Sequence, residues 1–191
     1  DDLIIDGDIA YEINSFVSSA DLFYNVIVPD TVNVTNEDDD EAGITVDPTS
    51  GLTTTEAGGT ATFTIVLAVQ PSADVTFNLM SDNTNEGTIS PNSVTFTDAD
   101  WDQPQTITIT GVDDAVVDGT VSYTIITGLV SSGDLNYEGF DPDDVSVENS
   151  DNDSAGITVN PTSGLTTTEA GGTATFTVVL NSQPSADVTI A

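Results

Sequence analysis

Apolar and polar residues alternate along the middle of the chain with the two-residue period of half-buried β-strands. In the run 60–67, Phe63, Ile65 and Leu67 fall on one face with Ala61, and threonines fall on the other. Further alternating sets are Val75, Phe77 and Leu79; Val94 and Phe96; Ile107 and Ile109; Val121, Tyr123 and Ile125; and Val145 and Val147. Each set predicts a strand with one face in a core.

Turn-forming residues separate these alternating runs, and no segment has a helical period. Asp47-Pro48, Gly58-Gly59, Gln70-Pro71 and Ser90-Pro91 are the clearest breaks. About seven short strands within about 100 residues are typical of an immunoglobulin-like β-sandwich. The pattern therefore predicts an all-β fold.

The chain repeats itself. Residues 42–78 recur at 155–191, with 31 of 37 positions identical and a period of 113 residues. Residues 1–13 resemble 113–125, and residues 17–24 resemble 130–137. We therefore expect tandem sandwich domains: the C-terminal part of one repeat (1–41), a complete repeat (42–154) and the N-terminal part of the next (155–191). This division favours a piece of a longer array, or identical subunits joined in a polymer.

Charge restricts the partners. The chain has 33 acidic residues and no Lys, Arg or His, so its formal net charge is −33. Neither nucleic acid nor an anionic membrane is an expected partner, since phosphate groups would be repelled. Self-repulsion of this size opposes a compact state, so counter-charges must come from solution. Clustered carboxylates favour Ca²⁺, which accepts six to eight oxygen ligands in flexible geometry.

Catalysis has little support in the composition. The chain has no Cys, which excludes thiol nucleophiles and thiolate metal sites. A carboxylate pair would need one acid in an apolar cleft, whereas these acids lie in polar loops. We therefore expect no catalytic residues and no enzyme activity. No apolar run reaches the roughly 20 residues of a membrane-spanning helix.

Three segments of the complete repeat resemble the Calx-β domain, a Ca²⁺-binding β-sandwich of sodium/calcium exchangers, integrin β4 and very large bacterial surface proteins. They are Glu56-Ala57-Gly58-Gly59-Thr60 at the start of a strand, Asp113-Asp114-x-x-x-Asp118 after a strand, and Asp151-Asn152-Asp153 at the end of the repeat. The resemblance implies several Ca²⁺ ions per repeat, at one end of each sandwich.

The resemblance also implies a set of ligands. In the complete repeat they are Glu56, Asp113, Asp114, Asp118, Asp151 and Asp153, with the carbonyl of Val116 and with Asp82 as an addition. In the first repeat they are Asp1, Asp2, the Ile4 carbonyl, Asp6, Asp38, Asp39 and Asp40, and Glu169 would begin a third set. Six bare carboxylates at one end would repel strongly, and three divalent ions would neutralise them.

Two positions depart from the family pattern. Val121 stands where family members often carry an acid, and Asn152 replaces the middle acid that Asp39 keeps in the first repeat. The number of ions is therefore expected to differ between repeats. Other loop acids are expected to face solvent: Asp98, Asp100, Asp102, Asp134, Asp141, Asp143 and Asp144.

The sequence favours a structural function: an extracellular filament or adhesin stalk at the cell surface, stiffened by Ca²⁺ at the domain ends. Only Ser154, Ala155 and Gly156 separate the terminal acids from the next expected strand, so bound ions would fix the direction in which the chain leaves. Two alternatives stay open. One is a ligand-binding adhesin module for a carbohydrate, a protein or a surface, and the other is a Ca²⁺ sensor.

Overall fold

The computed structural model describes residues 2–191, and their regular secondary structure is entirely β. The fourteen strands are β1 (Ile9–Ile13), β2 (Val32–Asn36), β3 (Ile44–Asp47), β4 (Leu52–Thr55), β5 (Thr60–Leu67), β6 (Val75–Ser81), β7 (Gly87–Ser90), β8 (Ser93–Phe96), β9 (Gln105–Gly111), β10 (Val121–Thr127), β11 (Ser131–Ser132), β12 (Val145–Ser150), β13 (Ile157–Asn160) and β14 (Thr177–Leu180). Among the described residues, no helix is long and apolar enough to cross a membrane.

Strands β3–β12 form a two-layer sandwich. One sheet has the order β3-β5-β9-β7, and the other has the order β11-β6-β10-β12-β4, with β8 also paired to β6. All pairs are antiparallel except β12 and β4, which run parallel. The parallel pair brings the C-terminal ends of β4 and β12 to the same edge, where the candidate site lies.

The core lies between these two sheets and confirms the alternation read from the sequence. Phe63, Ile65 and Leu67 of β5 are buried, while Thr60 and Thr62 on the other face are exposed. The other buried side chains from alternating runs include Val75, Phe77, Leu79, Val94, Phe96, Ile107, Ile109, Tyr123, Ile125, Val145 and Val147. Each large apolar side chain contributes about 1.5–3 kcal/mol when fully buried.

Three strands of the sandwich, β4, β7 and β11, were not predicted by the alternation of apolar and polar residues. Strand β4 (Leu52-Thr53-Thr54-Thr55) has a single apolar residue, and β11 is two residues long. Strand β7 has one large apolar residue, Ile89, and pairs with β9 at the edge of its sheet. Edge strands and polar inward positions weaken the alternation in these three strands. The pattern therefore predicts about seven strands, whereas the sandwich has ten.

The flanking segments reproduce parts of the same ladder. Strands β1 and β2 pair with Tyr11 opposite Val34, as β10 and β12 pair with Tyr123 opposite Val147. Strands β13 and β14 pair with Ile157 opposite Leu180, matching the register between β3 and β5. The internal repeat of the sequence is therefore also a repeat of strand pairing.

Candidate metal centre

Four chain segments bring acids to one end of the sandwich. Glu56 directly follows β4, Asp113 follows β9, Asp118 precedes β10 and Asp151 follows β12. One carboxylate oxygen each from Glu56, Asp118 and Asp151 lie within 4.8 Å of one another. Oxygens on opposite sides of a Ca²⁺ ion at about 2.3–2.6 Å would be separated by roughly twice that distance. The spacing of the three oxygens therefore suits a common ion.

Backbone hydrogen bonds fix this convergence. The Glu56 N–H donates to the Ser150 carbonyl at 3.1 Å, which continues the parallel β4–β12 ladder by one residue. Glu56 is therefore held beside Asp151. The Gly119 N–H in turn donates to Asp151 Oδ2 at 2.8 Å, and Gly119 has a φ of +78° that favours glycine. This bond ties the Asp118 loop to the end of β12.

Gly111 allows a close approach on the β9 side. Its N–H donates to the Gly59 carbonyl at 3.0 Å, and a Cβ atom at this position would lie 2.2 Å from the Thr55 carbonyl oxygen. Any side chain here would displace the turn that follows β4. Because Asp113 and Asp114 closely follow Gly111, the glycine allows β9 to bring these two acids near the turn that carries Glu56.

A buried polar network lies beneath the acids. Thr54 Oγ1 donates to Asn149 Oδ1 at 2.9 Å and lies 3.1 Å from the Tyr123 hydroxyl. Asn149 Nδ2 donates to Glu86 Oε2 and to the Val112 carbonyl, both at 3.2 Å. Thr54, Glu86, Asn149 and Tyr123 are all buried. The network thus fixes the residue that precedes Asp113, and it was not predicted from the sequence.

A sequence signal for this network does exist. Thr54 and Asn149 occupy inward positions, two residues before Glu56 and two residues after the buried Val147. Polar residues at such positions need buried partners. Asn149 also has its repeat equivalent in Asn36.

Asn152 changes the charge of the site. Its backbone N–H donates to Glu56 Oε2 at 2.9 Å, and its side-chain Nδ2 donates to Asp113 Oδ1 at 3.0 Å. A carboxylate at this position would offer Asp113 a second negative charge instead of a donor. The departure from the acidic pattern therefore satisfies one oxygen of the site internally.

Repulsion between the carboxylates of the cluster changes their pKa values. The Asn152 N–H lowers the pKa of Glu56, but burial and the charges of Asp151, Asp114 and Asp118 outweigh it, so the pKa lies above its ordinary value. Burial and the neighbouring carboxylates also raise the pKa of Asp153. The N–H groups of Gly119 and Asp153 lower the pKa of Asp151, which keeps it charged. The surroundings therefore favour the charged form of Asp151 and disfavour the charged forms of Glu56 and Asp153.

One buried carboxylate oxygen indicates where a cation would bind. Asp153 Oδ2 is buried and has no hydrogen-bond partner among residues 2–191, although the Asp153 N–H donates to Asp151 Oδ1 at 2.6 Å. Buried polar atoms normally have partners, and this chain has no cationic side chain to provide one. A set of donors made only of oxygen suits a hard cation such as Ca²⁺. The residues present therefore fit the ion that the sequence predicts.

The first segment builds the same loops a second time. Gly7 N–H donates to Asp38 Oδ2 at 2.7 Å, and Asp40 N–H donates to Asp38 Oδ1 at 3.1 Å, matching the bonds of Gly119 and Asp153 to Asp151. The N–H groups of Asp40 and Gly7 lower the pKa of Asp38, and burial with neighbouring acids raises that of Asp40. A cleft of about 260 Å³ is lined by Asp2, Asp6, Asn36, Glu37, Asp38, Asp39 and Asp40.

The other predicted ligands lie in several places. Asp114 Oδ1 accepts the Val116 N–H at 2.7 Å, and Asp2 Oδ1 accepts the Ile4 N–H at 3.2 Å, so the same loop geometry occurs twice. Asp82 is exposed, accepts the Thr124 N–H at 2.8 Å, and is not one of the three grouped acids. Glu169 is exposed on the turn equivalent to that of Glu56. Asp1 lies outside the described residues.

One acid expected to face solvent does not. Asp134 is 4% exposed, because its carboxylate accepts the Ser72 N–H at 2.8 Å and the Asn136 N–H at 2.9 Å. Burial raises its pKa, but these hydrogen bonds outweigh that effect and leave it lowered. The expectation of a solvated Asp134 was wrong, because two backbone donors converge on it from separate loops.

Comparisons with known proteins return several solved structures at low sequence identity. No protein-family model and no curated protein matches. The crystal structure of the apo form of the Calx CBD1 domain is 16% identical, with a TM-score of 0.44, over 58% of this chain and 96% of that one. The calcium binding domain CBD12 of CALX1.1 is 18% identical, with a TM-score of 0.46, over 62% of this chain and 50% of that one. The periplasmic chaperone SfaE is 7% identical, with a TM-score of 0.41, over 58% of both chains.

Proposed function

We propose that this chain is part of a structural Ca²⁺-binding protein, in which tandem sandwiches form an extracellular filament or adhesin stalk stiffened by Ca²⁺. The observation that carries the proposal is the position of the acid cluster. Glu56, Asp118 and Asp151 meet where the chain leaves the sandwich, and only three residues separate Asp153 from β13. Ions bound there would restrain the exit of the chain.

Charge supports the proposal. The chain has a formal net charge of −33 and no cationic side chain. Among the described residues, the buried Asp153 Oδ2 at the site has no hydrogen-bond partner. Divalent ions would relieve both the local repulsion and part of the overall self-repulsion. Extracellular modules bind Ca²⁺ at about 10⁻⁴–10⁻³ M, so a millimolar extracellular supply would fill such sites. Several ions per repeat, the extracellular location and a non-enzymatic function are parts of the same proposal.

Repetition supports a spacer function. The hydrogen bonds that shape the acidic loops are the same in the first segment and in the complete repeat. A three-residue linker spans at most roughly 10 Å, so successive sandwiches must lie against one another. Neighbouring repeats, or identical subunits in a polymer, are therefore the proposed partners.

Small-angle X-ray scattering on a multi-repeat protein is the test. In saturating Ca²⁺ we expect the scattering of an extended rod. The double substitution Asp151→Asn and Asp153→Asn in every repeat should shorten the maximum dimension, because the linker loses the ligands that restrain it.

The matched control is Asp102→Asn with Asp143→Asn. It removes the same number of charges from exposed residues just before β9 and β12, at the strand ends opposite the cluster. This control should stay as extended as the parent. A double variant at Asp151 and Asp153 that scatters like the parent in Ca²⁺ would contradict the stiffening mechanism.

A second candidate function, a ligand-binding adhesin module, has one observation in its favour. Residues 22–29 of the first repeat contain no acid, and Phe23, Val26 and Val28 are largely exposed. In the complete repeat their equivalents are Asn136, Gly139 and Asp141, which are exposed too. These apolar residues are therefore specific to the first repeat.

The apolar loop has the same backbone bonding as its polar counterpart. The Phe23 N–H donates to Asp21 Oδ1 at 2.9 Å, as the Asn136 N–H donates to Asp134 Oδ1. The triple substitution Phe23→Asn, Val26→Gly and Val28→Asp would install the residues of the complete repeat. If this loop recognises an apolar surface, the triple variant should lose adsorption to a methyl-terminated surface; equal adsorption would exclude the loop as an apolar recognition site.

A further inference from the structure

The chain makes the same backbone hydrogen bond between segments at two places. The Gln70 N–H donates to the Leu3 carbonyl at 2.9 Å, and the Gln183 N–H donates to the Ala115 carbonyl at 2.6 Å. Gln70 and Gln183 are repeat equivalents, and so are Leu3 and Ala115. The two bonds are therefore two copies of one contact. In each copy an acidic loop (2–6 in the first repeat, 114–118 in the complete repeat) contacts the following repeat.

The acceptor in each copy lies within the candidate metal loop. Leu3 stands between Asp2 and Ile4, and Ala115 stands between Asp114 and Val116. In the second copy, Val116 also forms a parallel β-bridge with Gln183. The loop that carries predicted ligands thus also contacts the next repeat.

Apolar side chains accompany the bond. Ile5 is partly buried against the core of the complete repeat, and with Ile4, Gln70 and Pro71 it lines a cleft of about 270 Å³. At the second junction, Val116 and Val117 line a cleft with the equivalents Gln183 and Pro184. Each junction therefore pairs two aliphatic side chains with a Gln-Pro turn.

The receiving turn is held rigidly in the complete repeat. Gln70 Nε2 donates to the Asp98 carbonyl at 2.8 Å. The buried Tyr137 hydroxyl donates to the Val69 carbonyl at 2.8 Å. The buried Asp134 carboxylate accepts the Ser72 N–H. A turn fixed on both sides offers a preformed surface, so docking the loop orders few additional groups.

We propose that the Gln-Pro turn (69–72, and 182–185 in the third repeat) is the docking surface for the acidic loop of the preceding repeat. Together with the three-residue linker, this contact attaches successive repeats at two points. Two attachment points restrict bending that one short linker would allow. The inference rests on the proposed function, because it names the contact through which an ordered acidic loop would set the angle between repeats.

Spin-label distance measurements test the contact. The chain has no Cys, so Thr35→Cys on β2 and Thr62→Cys on β5, both exposed, would carry the only labels. In saturating Ca²⁺ we expect a narrow distance distribution for the parent. Ile5→Ser should at least double its width, while Ile5→Val, which keeps an apolar contact, should stay close to the parent.

The control is Ile27→Ser, which changes an exposed isoleucine of the same segment that does not line the cleft. It should leave the distribution narrow. A narrow distribution for Ile5→Ser, or a broad one for the parent in Ca²⁺, would overturn the docking surface. Failure of the proposed function would look different, since Ca²⁺ removal would then leave the parent distribution unchanged while Ile5→Ser still broadened it.

Discussion

Chelating Ca²⁺ is expected to lower the thermal unfolding midpoint of the chain by about 15 °C or more. At ten times the dissociation constant, each independent site stabilises the folded state by about 1.4 kcal/mol, so three sites give roughly 4 kcal/mol. That amount approaches the whole stability of a small domain. The acids at the end of the sandwich have no cationic partner within the chain, so the effect should be large.

Monovalent salt separates ligation from screening. Raising NaCl in the presence of chelator weakens diffuse repulsion but supplies no ion to the cluster. We therefore expect it to recover only part of the lost stability, whereas returning Ca²⁺ should recover all of it. An unfolding midpoint that does not move on chelation would refute the Ca²⁺ linkage.

Replacing Asp153 with Asn is expected to shift stability in opposite directions with and without Ca²⁺. Burial and the charges of Asp151, Asp113 and Asp114 raise the pKa of Asp153 in the folded chain. A carboxyl group with a raised folded pKa binds its proton more tightly when folded, so stability in chelator falls as pH rises through that pKa. Asn removes this loss, and the midpoint in chelator at pH 7 should rise.

In saturating Ca²⁺ the same substitution removes a ligand. Losing one site at ten times its dissociation constant costs about 1.4 kcal/mol, which corresponds to a fall of about 5–10 °C in the Ca²⁺-dependent shift. Thermal unfolding of parent and variant in both buffers measures this crossing. If Asp153→Asn also lowers the unfolding midpoint in chelator, the neighbouring carboxylates do not destabilise the charged Asp153 carboxylate, and the site assignment fails.

Asp134→Asn provides the contrasting control. Burial raises the pKa of Asp134, but the N–H groups of Ser72 and Asn136 outweigh it, so the folded pKa is lowered. Such a group stabilises the fold above its unfolded pKa, and this stability is lost as pH falls through the folded pKa. Hydrogen bonds to a charged group contribute about 1.5–3 kcal/mol, so this variant should be destabilised by a similar amount in both buffers.

The sequence predicted the core well, because alternation in strands such as β5 and β6 reports directly which face is buried. It missed β4, since the inward residue Thr54 is polar and finds its partners on Asn149 and Tyr123. These partners are far apart in sequence, so only the fold brings them together. The burial of Asp134 was missed for a similar reason, since one of its two donors, Ser72, is 62 residues away in sequence.

The acids of the candidate site could be named from the sequence because three segments of the complete repeat resemble the Calx-β domain, and that resemblance implies the ligand set. Glu56, Asp118 and Asp151 do meet in the structure, as expected from three separate segments. Asp82 is not among the grouped acids, and its carboxylate accepts a hydrogen bond from β10. The contact of the acidic loop with the Gln-Pro turn was not predicted, since its hydrogen bond joins backbone atoms of two distant segments.

The most direct test of the Ca²⁺ assignment is the anomalous scattering of crystals of the chain grown in saturating Ca²⁺. The predicted result is a strong peak at the end of the sandwich, with oxygens of Glu56, Asp118 and Asp151 at about 2.3–2.6 Å from the ion. Well-ordered loops that hold only water at these carboxylates, at the same Ca²⁺ concentration, would contradict it.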